Sequence, residues 1–189
     1  MKSVRIAQPD RAGITQSTLL LVLTAESVLF GTLVVSYLFL RGGGSDMSFI
    51  HPQPFDLMIA SLNTLILLSS AAFARNALHA IGQDRVESLK TFLAITLVLG
   101  AVFVVGQVFE FRHSGMKLDD STFGGVFFAL ISFHAFHVLA GITVLSLNFA
   151  RARLGDFSAR RHIAITAGTW FWYYVVAVWL VLFTVLYVV

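Results

Sequence analysis

The sequence predicts an all-α integral membrane protein, a bundle of five transmembrane helices. Hydrophobic residues make up 57% of the chain and charged residues only 12%, and the mean hydropathy is +0.83. A soluble domain carries about 25% charged residues, so the chain is too apolar for that class. The apolar residues are collected in five stretches, and each approaches or exceeds the ~20 residues with which a helix crosses a bilayer. The stretches are about 18–40, 57–73, 91–111, 122–149 and 163–188.

Residues 1–17 are polar and are expected to form a short tail ahead of the first span. The apolar run 18–40 is longer than the core of a secretory signal peptide, and no small-residue cleavage site ends it. We therefore expect it to remain as the first transmembrane helix. Residues 18–189 are expected to form a single domain.

Polar connections separate the other spans. A glycine- and proline-rich segment, 41–56, precedes the second span. The segment ARNALHAIGQDRVESLK follows the second span, and we expect its first part to extend that helix into the membrane interface. RHSGMKLDDS precedes the fourth span, and the basic loop RARLGDFSARRH precedes the fifth.

The distribution of basic residues predicts the orientation. Ten of the thirteen Lys and Arg residues lie in the tail and in the loops after the second and fourth spans. The other three are Arg41, Arg112 and Lys117. Because basic residues concentrate on the cytoplasmic side, the N-terminus is predicted to be cytoplasmic and the C-terminus periplasmic. The net charge of +3 follows from this pattern and requires no nucleic-acid partner.

Glu26 is an acidic residue about two turns inside the first span. A carboxylate in the membrane interior is costly, so an intramembrane acid is by default a functional-site hypothesis. Glu26 would then handle protons or contact a partner. The alternative is a neutral or hydrogen-bonded carboxyl group that only joins helices, and the residues leave both open.

His134 and His137 are the only titratable side chains of the fourth span. Residues three apart are neighbours on one helical face, which Gly141, Val144 or Leu145, and Asn148 continue. Small and polar residues let transmembrane helices approach and form hydrogen bonds, so this face is predicted to point toward other helices or a partner. The bulky residues assigned to the other side are Phe127, Phe128, Phe133, Phe136 and Leu139.

Imidazole is a common metal ligand, so the two histidines are also candidates for a haem or copper site. Two axial histidines of a haem approach from opposite sides, normally from two helices, and these two share one helix. His51, His79, His113 and His162 are placed in loops or at helix ends. Hydrogen bonding between helices is therefore favoured, and no metal site is predicted. The lack of cysteine excludes disulfides and thiolate ligands.

Other polar and aromatic residues complete the candidates. Asn63, in the second span, is expected to hydrogen-bond between helices. Glu110 closes the third span near the outer interface and is grouped with His134, His137 and Asn63 as an interhelical polar residue. An interfacial anchor is the favoured role, and Arg112 and His113 are candidate partners. The fifth span is too aromatic in its middle for an interfacial belt, and contact with another subunit or ordered lipid is predicted for Trp170, Trp172, Tyr173 and Trp179.

Five motifs, in the same order along the chain, resemble subunit III of the haem–copper terminal oxidases. TAESVLFGTLVVSYLF resembles the helix that carries the buried glutamate of that family, and LNTLILLSSAAFARNALHAI resembles its Asn-Thr run. GQVFEF matches the end of a family helix, and SGMKLDDSTFGGVFFALISFHAFHVLAGITVL resembles the loop and the paired-histidine core. TWFWYYVVAVWLVLFTVLYV resembles the closing helix. The resemblance covers residues 18–189.

The resemblance implies the five-helix form of the bacterial inner membrane. Such a subunit has no redox centre, and the haems and copper that reduce oxygen to water belong to partner subunits. It binds subunit I directly, accompanies subunit II and smaller subunits, and holds phospholipid. Glu26 would be the buried carboxylate near the proton-uptake path, His134 and His137 the paired histidines, and Glu110 the acid of the third helix.

The chain departs from the family on the fifth helix, where Tyr173, Val176 and Thr166 replace a His, an Asp and a Glu. The resemblance therefore does not carry the polar contacts of those residues over to this chain. Cytochrome c, reached only through the complex, is the favoured electron donor. A quinol oxidase subunit and an accessory subunit of nitric oxide reductase are the alternatives, and a haem-bearing, quinone-reactive anchor is more remote. A transporter would favour broken helices and inverted repeats, and neither is evident.

Overall fold

The computed structural model describes residues 11–43, 54–113 and 122–188, without the side chains of residues 11, 12, 43, 54–56, 111, 113 and 122–124. Within these ranges each of five long helices holds a stretch long and apolar enough to cross a membrane. An isolated bridge between Ser158 and Arg161 is the only β pairing in the described part. The all-α fold with five membrane-spanning helices is therefore confirmed. The helices are α1 (Arg11–Gly43), α2 (Pro54–Gly82), α3 (Val86–His113), α4 (Thr122–Arg153) and α5 (Ile163–Phe183), and a π-helical turn, Thr184–Val188, follows α5.

The helices are longer than the predicted spans because hydropathy marks only the part that lies in hydrocarbon. α1 already begins at Arg11, so the last part of the predicted tail is helical. α2 continues to Gly82, as expected for a helix that enters the interface. The predictions for residues 1–10, 44–53 and 114–121, which include Lys2, Arg5, His51 and Lys117, lie outside the described residues.

Contacts between helix ends define the direction of each helix. At one end of the bundle, Arg41 Nη1 of α1 donates to the carbonyl oxygen of Val185 at 3.2 Å, and the hydroxyl of Tyr187 donates to Glu110 at the end of α3. At the opposite end, the backbone N–H of Ala159 donates to Asp84 Oδ1 at 2.8 Å. We call this second end the basic end; it holds the α2–α3 and α4–α5 connections. Successive helices therefore run in opposite directions, as five consecutive spans require.

α5 lies at the centre of the bundle and packs against α1, α2 and α4. α2 and α3 form the most closely packed pair, and α3 also contacts α4. α1 is the peripheral helix: 6% of its most apolar stretch is buried, against 22–39% in the other four. Most of the α1 surface is thus left for whatever surrounds the chain in the membrane.

The aromatic residues of α5 form much of the core. Trp172 is completely buried, and its indole N–H donates to Ser70 Oγ of α2 at 3.0 Å. The ring fits against two glycines: a Cβ atom at Gly141 would lie 2.8 Å from it and one at Gly100 would lie 3.0 Å away. Trp179 is buried as well and donates to Thr64 Oγ1 at 2.9 Å. Small residues thus allow the close approach that membrane helices need.

The prediction that these aromatic residues contact another subunit or lipid is wrong for Trp172 and Trp179. Their rings are enclosed by the chain itself, because α5 occupies the centre of the bundle and α2 supplies hydroxyl acceptors. Trp170 is 37% exposed and Tyr173 is partly exposed. For these two residues an external contact stays a prediction.

Candidate functional site

The face of α4 that was predicted to point inward does so. His134, His137, Leu145 and Asn148 are all buried there. Phe127 is buried too, although the sequence analysis assigned it to the opposite, bulky face. Phe127 lies on the buried face because it precedes His134 by seven residues, about two helical turns.

His137 and Glu26 meet between α4 and α1. His137 Nδ1 lies 2.8 Å from the carbonyl oxygen of Phe133, one turn earlier in α4. A carbonyl oxygen only accepts hydrogen bonds, so Nδ1 carries the hydrogen. His137 Nε2 lies 3.3 Å from Glu26 Oε2. Nε2 is thus the ring nitrogen that faces the carboxyl group of Glu26.

A polar partner makes this acid less costly in a membrane, where an uncompensated charge is expensive. The 3.3 Å contact is longer than the ~2.8 Å of a strong charge-assisted hydrogen bond, and no hydrogen bond to Glu26 Oε2 is formed by the described residues. The Glu26 side chain is 29% exposed, whereas that of His137 is 6% exposed. The acid therefore lies at the edge of the bundle with a buried imidazole behind it.

Aromatic rings surround the His137 imidazole. Ring centroids lie at 4.7 Å for Phe133, 5.2 Å for Phe30 and 6.3 Å for Phe171. Tyr174 of α5 lies within electrostatic range of Glu26. These residues exclude water from the inner side of the pair, which strengthens the electrostatic coupling between acid and base.

His134 has a different environment from His137. Its ring stacks on Trp179 with centroids 5.3 Å apart, and the side chain is 3% exposed. Neither ring nitrogen has a hydrogen-bond partner among the residues that the structure describes. The two histidines are thus neighbours in sequence with separate contacts: His137 joins α4 to α1, and His134 packs α4 on α5.

Asn63 and Glu110, the other predicted polar residues, lie elsewhere. Asn63 Nδ2 donates to the carbonyl oxygen of Phe103 at 3.1 Å and joins α2 to α3. Glu110 is buried and accepts from Gln107 at 3.2 Å and from the hydroxyl of Tyr187. Tyr187 reaches Glu110 because the ends of α3 and α5 adjoin. This contact between helices was not predicted from the sequence. The polar residues therefore form separate contacts rather than one network.

Several residues of the site were not identified from the sequence. Phe30 follows Glu26 by one turn, and this spacing could have identified it. Phe171, Tyr174 and Trp179 lie on α5 and approach only through the fold, so no local signal marks them. In the described ranges, no group of three or more His, Asp or Glu side chains could hold a metal ion.

Comparison with known proteins decides the family. The profile described as Cytochrome c oxidase subunit III matches residues 12–189. The chain belongs to the cytochrome c oxidase subunit III family. Subunit III is part of an oxidoreductase complex, and the five apolar helices make this member a multi-pass membrane protein.

Several relatives resemble this member of the subunit III family along most of their length. Cytochrome c oxidase subunit 3 of Thermostichus vulcanus is 34% identical over 177 residues, which cover 90% of this chain and 85% of the relative. That of Synechocystis is 32% identical over 171 residues, covering 88% and 72%. The probable cytochrome c oxidase subunit 3 of Rickettsia prowazekii is 33% identical over 197 residues, covering 95% and 70%. The resemblance drawn from the motifs is confirmed.

Proposed function

We propose that this chain is the accessory subunit III of a respiratory haem–copper oxidase that reduces oxygen to water and couples the reaction to proton translocation. The family match over residues 12–189 is the observation that carries this proposal. The compared relatives are named cytochrome c oxidase subunit 3, which favours cytochrome c as the electron donor of the complex. The chain itself is non-catalytic, and the haems and copper reside in partner subunits.

The placement of the histidines supports a subunit without a redox centre. His134 and His137 lie on one helix, with His134 stacked on Trp179 and His137 held by Glu26 and Phe133. His79 and His162 lie toward the basic end of the bundle, at the end of α2 and the start of α5. Two imidazoles facing each other across a haem are not available from this set, which argues against a quinone-reactive haem anchor.

Glu26 and His137 are the residues we assign to proton handling. The Glu26 side chain is partly exposed at the edge of the bundle, and the imidazole of His137 lies behind it at 3.3 Å. In the complex this pair would support proton uptake by subunit I and protect subunit I from inactivation during turnover. His134, Asn63 and Glu110 hold the helices around the pair.

The exposed face of α1 is the surface we assign to subunit I and phospholipid. Leu21, Val28 and Val35 recur every seven residues, and each is more than 60% exposed. Phe39 continues the stripe and is 79% exposed. An apolar stripe of this length needs lipid chains or an apolar partner, and Trp170 and Tyr173 extend the available contact surface on α5.

The basic end of the bundle is assigned to the cytoplasm of a bacterial cell, with the protein in the inner membrane. The support is that ten of the thirteen Lys and Arg residues belong to the N-terminal tail, to the two connections of that end or to the helix segments beside them. The C-terminus is then periplasmic. We regard residues 18–189 as one domain, because α5 contacts α1, α2 and α4.

Purification of the chain in gentle detergent tests the proposal. Peptide identification and an optical spectrum are expected to find haem–copper subunits I and II together with oxygen consumption. Turnover with reduced cytochrome c supports the favoured donor, and turnover with quinol alone would replace it with a quinol oxidase. Nitric oxide reduction without oxygen consumption would assign the chain to a nitric oxide reductase, and a haem spectrum that stays with the isolated chain would overturn the accessory role.

A further inference from the structure

A cleft at the basic end of α2 is separate from the Glu26–His137 site. Arg75, Leu78, His79, Gly82 and Gln83 line it, and its volume is about 400 Å³. Arg75 lies within α2, in the part expected to extend into the membrane interface, seven residues before the helix ends at Gly82. Arg75 is therefore ~10 Å along the helix axis from that end, at the depth where arginines reach toward the membrane surface.

No carboxylate among the described residues pairs with Arg75. Three ion pairs connect the described residues, and none of them includes Arg75. The carboxylates of the adjoining turn are engaged elsewhere: Glu87 pairs with Lys90 at 2.8 Å, and Asp84 Oδ1 accepts from the backbone of Ala159. A planar guanidinium in this situation suits an oxyanion, which it binds with two parallel hydrogen bonds.

His79 provides a second donor in the cleft. Gln83 Nε2 and His79 Nε2 are 2.8 Å apart. An amide nitrogen donates only, so His79 Nε2 accepts and the hydrogen of the neutral ring is on Nδ1. The contact with Gln83 thereby orders the imidazole and leaves an N–H group for a ligand, one helical turn from Arg75.

The surface beside the cleft indicates where the rest of the ligand lies. Ala72, Leu68 and Leu65 continue the α2 face of Arg75 and His79 toward the middle of the membrane, and all three are exposed. An apolar track that leads from a basic cleft matches a lipid, whose headgroup carries the phosphate and whose acyl chains follow the helix. A free phosphate ion would make no use of the track.

We propose that this cleft binds the headgroup phosphate of an anionic phospholipid through Arg75 and His79. The inference deepens the lipid-holding role proposed above and rests on it. Basic pockets at the cytoplasmic side of membrane helices take anionic headgroups, since each basic residue near that surface contributes about 1 kcal/mol. The ligand class is thus a phosphatidylglycerol-like lipid held at the cytoplasmic leaflet.

The test uses the intact complex in nanodiscs of phosphatidylcholine with a minor fraction of phosphatidylglycerol, and native mass spectrometry counts the retained phosphatidylglycerol. Arg75→Gln is expected to weaken its binding about fivefold to tenfold, as the loss of one basic contact implies. The matched control is Arg85→Gln, which removes the same charge from the same end of the bundle but outside the cleft. Arg85→Gln is expected to retain the lipid. Equal loss in both variants, or no loss in Arg75→Gln, would overturn the proposal.

A second pair of variants decides the matter if Arg75→Gln does not assemble. Arg75→Lys keeps the charge but lacks the two-pronged geometry, and His79→Ala removes the second donor. Both are expected to retain less phosphatidylglycerol than the unaltered complex, and full retention in both would refute the site.

Inorganic phosphate, followed by phosphorus NMR, tests whether the ligand is a free ion. Phosphate bound with no preference for phosphatidylglycerol would overturn the lipid assignment. If the oxidase assembles normally and the Arg75 variants retain as much phosphatidylglycerol as the unaltered complex, only the lipid site is refuted. If no haem–copper partners are found, the proposed function is refuted.

Discussion

At the scale of single residues, the Glu26–His137 pair shows how a membrane protein keeps an acid and a base in hydrocarbon. A charged side chain alone would be costly there, and in this bundle the acid and the base face each other at 3.3 Å. The backbone carbonyl of Phe133 determines which ring nitrogen faces the acid. The contact between the two side chains therefore makes Glu26 and His137 the candidate proton site.

Glu26→Gln removes the titratable group and preserves its shape. The amide of glutamine can still donate to His137 Nε2, so we expect the complex to assemble with unchanged haem content. Proton uptake is expected to slow, or the oxidase to inactivate severalfold faster during turnover, because no proton can be exchanged at this position. Proton pumping by reconstituted vesicles and the decay of oxygen consumption measure the two effects.

The control for this variant is Glu87→Gln, which neutralises a carboxylate that is paired with Lys90 at the exposed start of α3. It is expected to leave both measurements unchanged. If Glu26→Gln also pumped protons and lost activity at the rate of the unaltered complex, the proton role would be wrong and a purely structural role would remain.

Gly141 is a residue whose missing side chain matters. It lies one turn after His137, and a Cβ atom there would approach the Trp172 ring to 2.8 Å. That ring is fully buried and hydrogen-bonded to Ser70, so it cannot move aside. Gly141→Ala is expected to destabilise the chain by about 1–3 kcal/mol, the usual cost of overpacking a core.

Gly31→Ala is the matched control, since a Cβ atom at Gly31 in the middle of α1 meets no atom within 4 Å. Alanine is the better helix former, so this variant is expected to be neutral or slightly stabilising. Denaturation of the purified complex in detergent, followed by fluorescence, gives the comparison. Equal stability of the two variants would contradict the close packing at Gly141.

At the scale of elements, α5 connects the bundle. Its tryptophans donate hydrogen bonds to two hydroxyl groups of α2, Trp172 to Ser70 and Trp179 to Thr64. Trp179 also stacks on His134, so α2, α4 and α5 meet at this ring. The departures from the family at Tyr173 and Val176 lie on the same helix between these contacts, and the indole contacts hold α5 in place without the replaced His and Asp.

Thr64→Val tests this connection with a change of nearly equal volume. The buried indole N–H of Trp179 loses its acceptor, and we expect a loss of about 0.5–2 kcal/mol, because hydrogen bonds between membrane helices are individually modest. Thermal unfolding of the purified complex measures the loss. A double variant with Trp179→Phe should be less destabilised than the sum of the single variants, since the two residues act as a pair.

Thr143→Val provides the comparison for Thr64→Val. The hydroxyl of Thr143 is exposed and donates to Leu139 within its own helix at 2.8 Å. Its replacement is expected to cost little. A cost as large as that of Thr64→Val would mean that the measured loss reflects the side chain and not the contact between helices.

At the scale of the whole molecule, the direction of the helices and the distribution of charge agree. The α2–α3 and α4–α5 connections adjoin at the basic end through the contact of Asp84 with Ala159. The opposite end is held by Arg41 with Val185 and by Glu110 with Tyr187. The most basic connections therefore lie on one side, as the positive-inside rule requires of a bundle inserted in a single orientation.

Reporter fusions test the proposed orientation. Green fluorescent protein fused after Val189 is expected to remain dark, because it does not fold when exported, while alkaline phosphatase at the same position is expected to be active. A fusion inserted at Ala159, in the connection before α5, should give the reverse result. Fluorescence from the C-terminal fusion would contradict a cytoplasmic N-terminus.

Much of the fold and part of the site were predictable from local pattern. The five helices follow from stretches of apolar residues, because hydrocarbon leaves the backbone no other partner than its own helix. The inward face of α4 follows from the spacing of His134, His137 and Asn148, and Glu26 was evident as an acid in an apolar run. The ends of the helices were less predictable, since hydropathy does not mark the parts that project into the interface.

The amino-acid sequence by itself determined the class, the number of spans and the identity of the candidate acid and histidines. Only the tertiary structure decided what these residues contact: that Glu26 pairs with His137 and not His134, that Glu110 accepts from Tyr187, and that Trp172 and Trp179 face inward. The physical reason is that hydropathy and helical periodicity act within one helix, whereas these contacts join residues of different helices. Which faces meet depends on how closely the helices pack, and Gly100 and Gly141 set that distance by leaving room for the Trp172 ring.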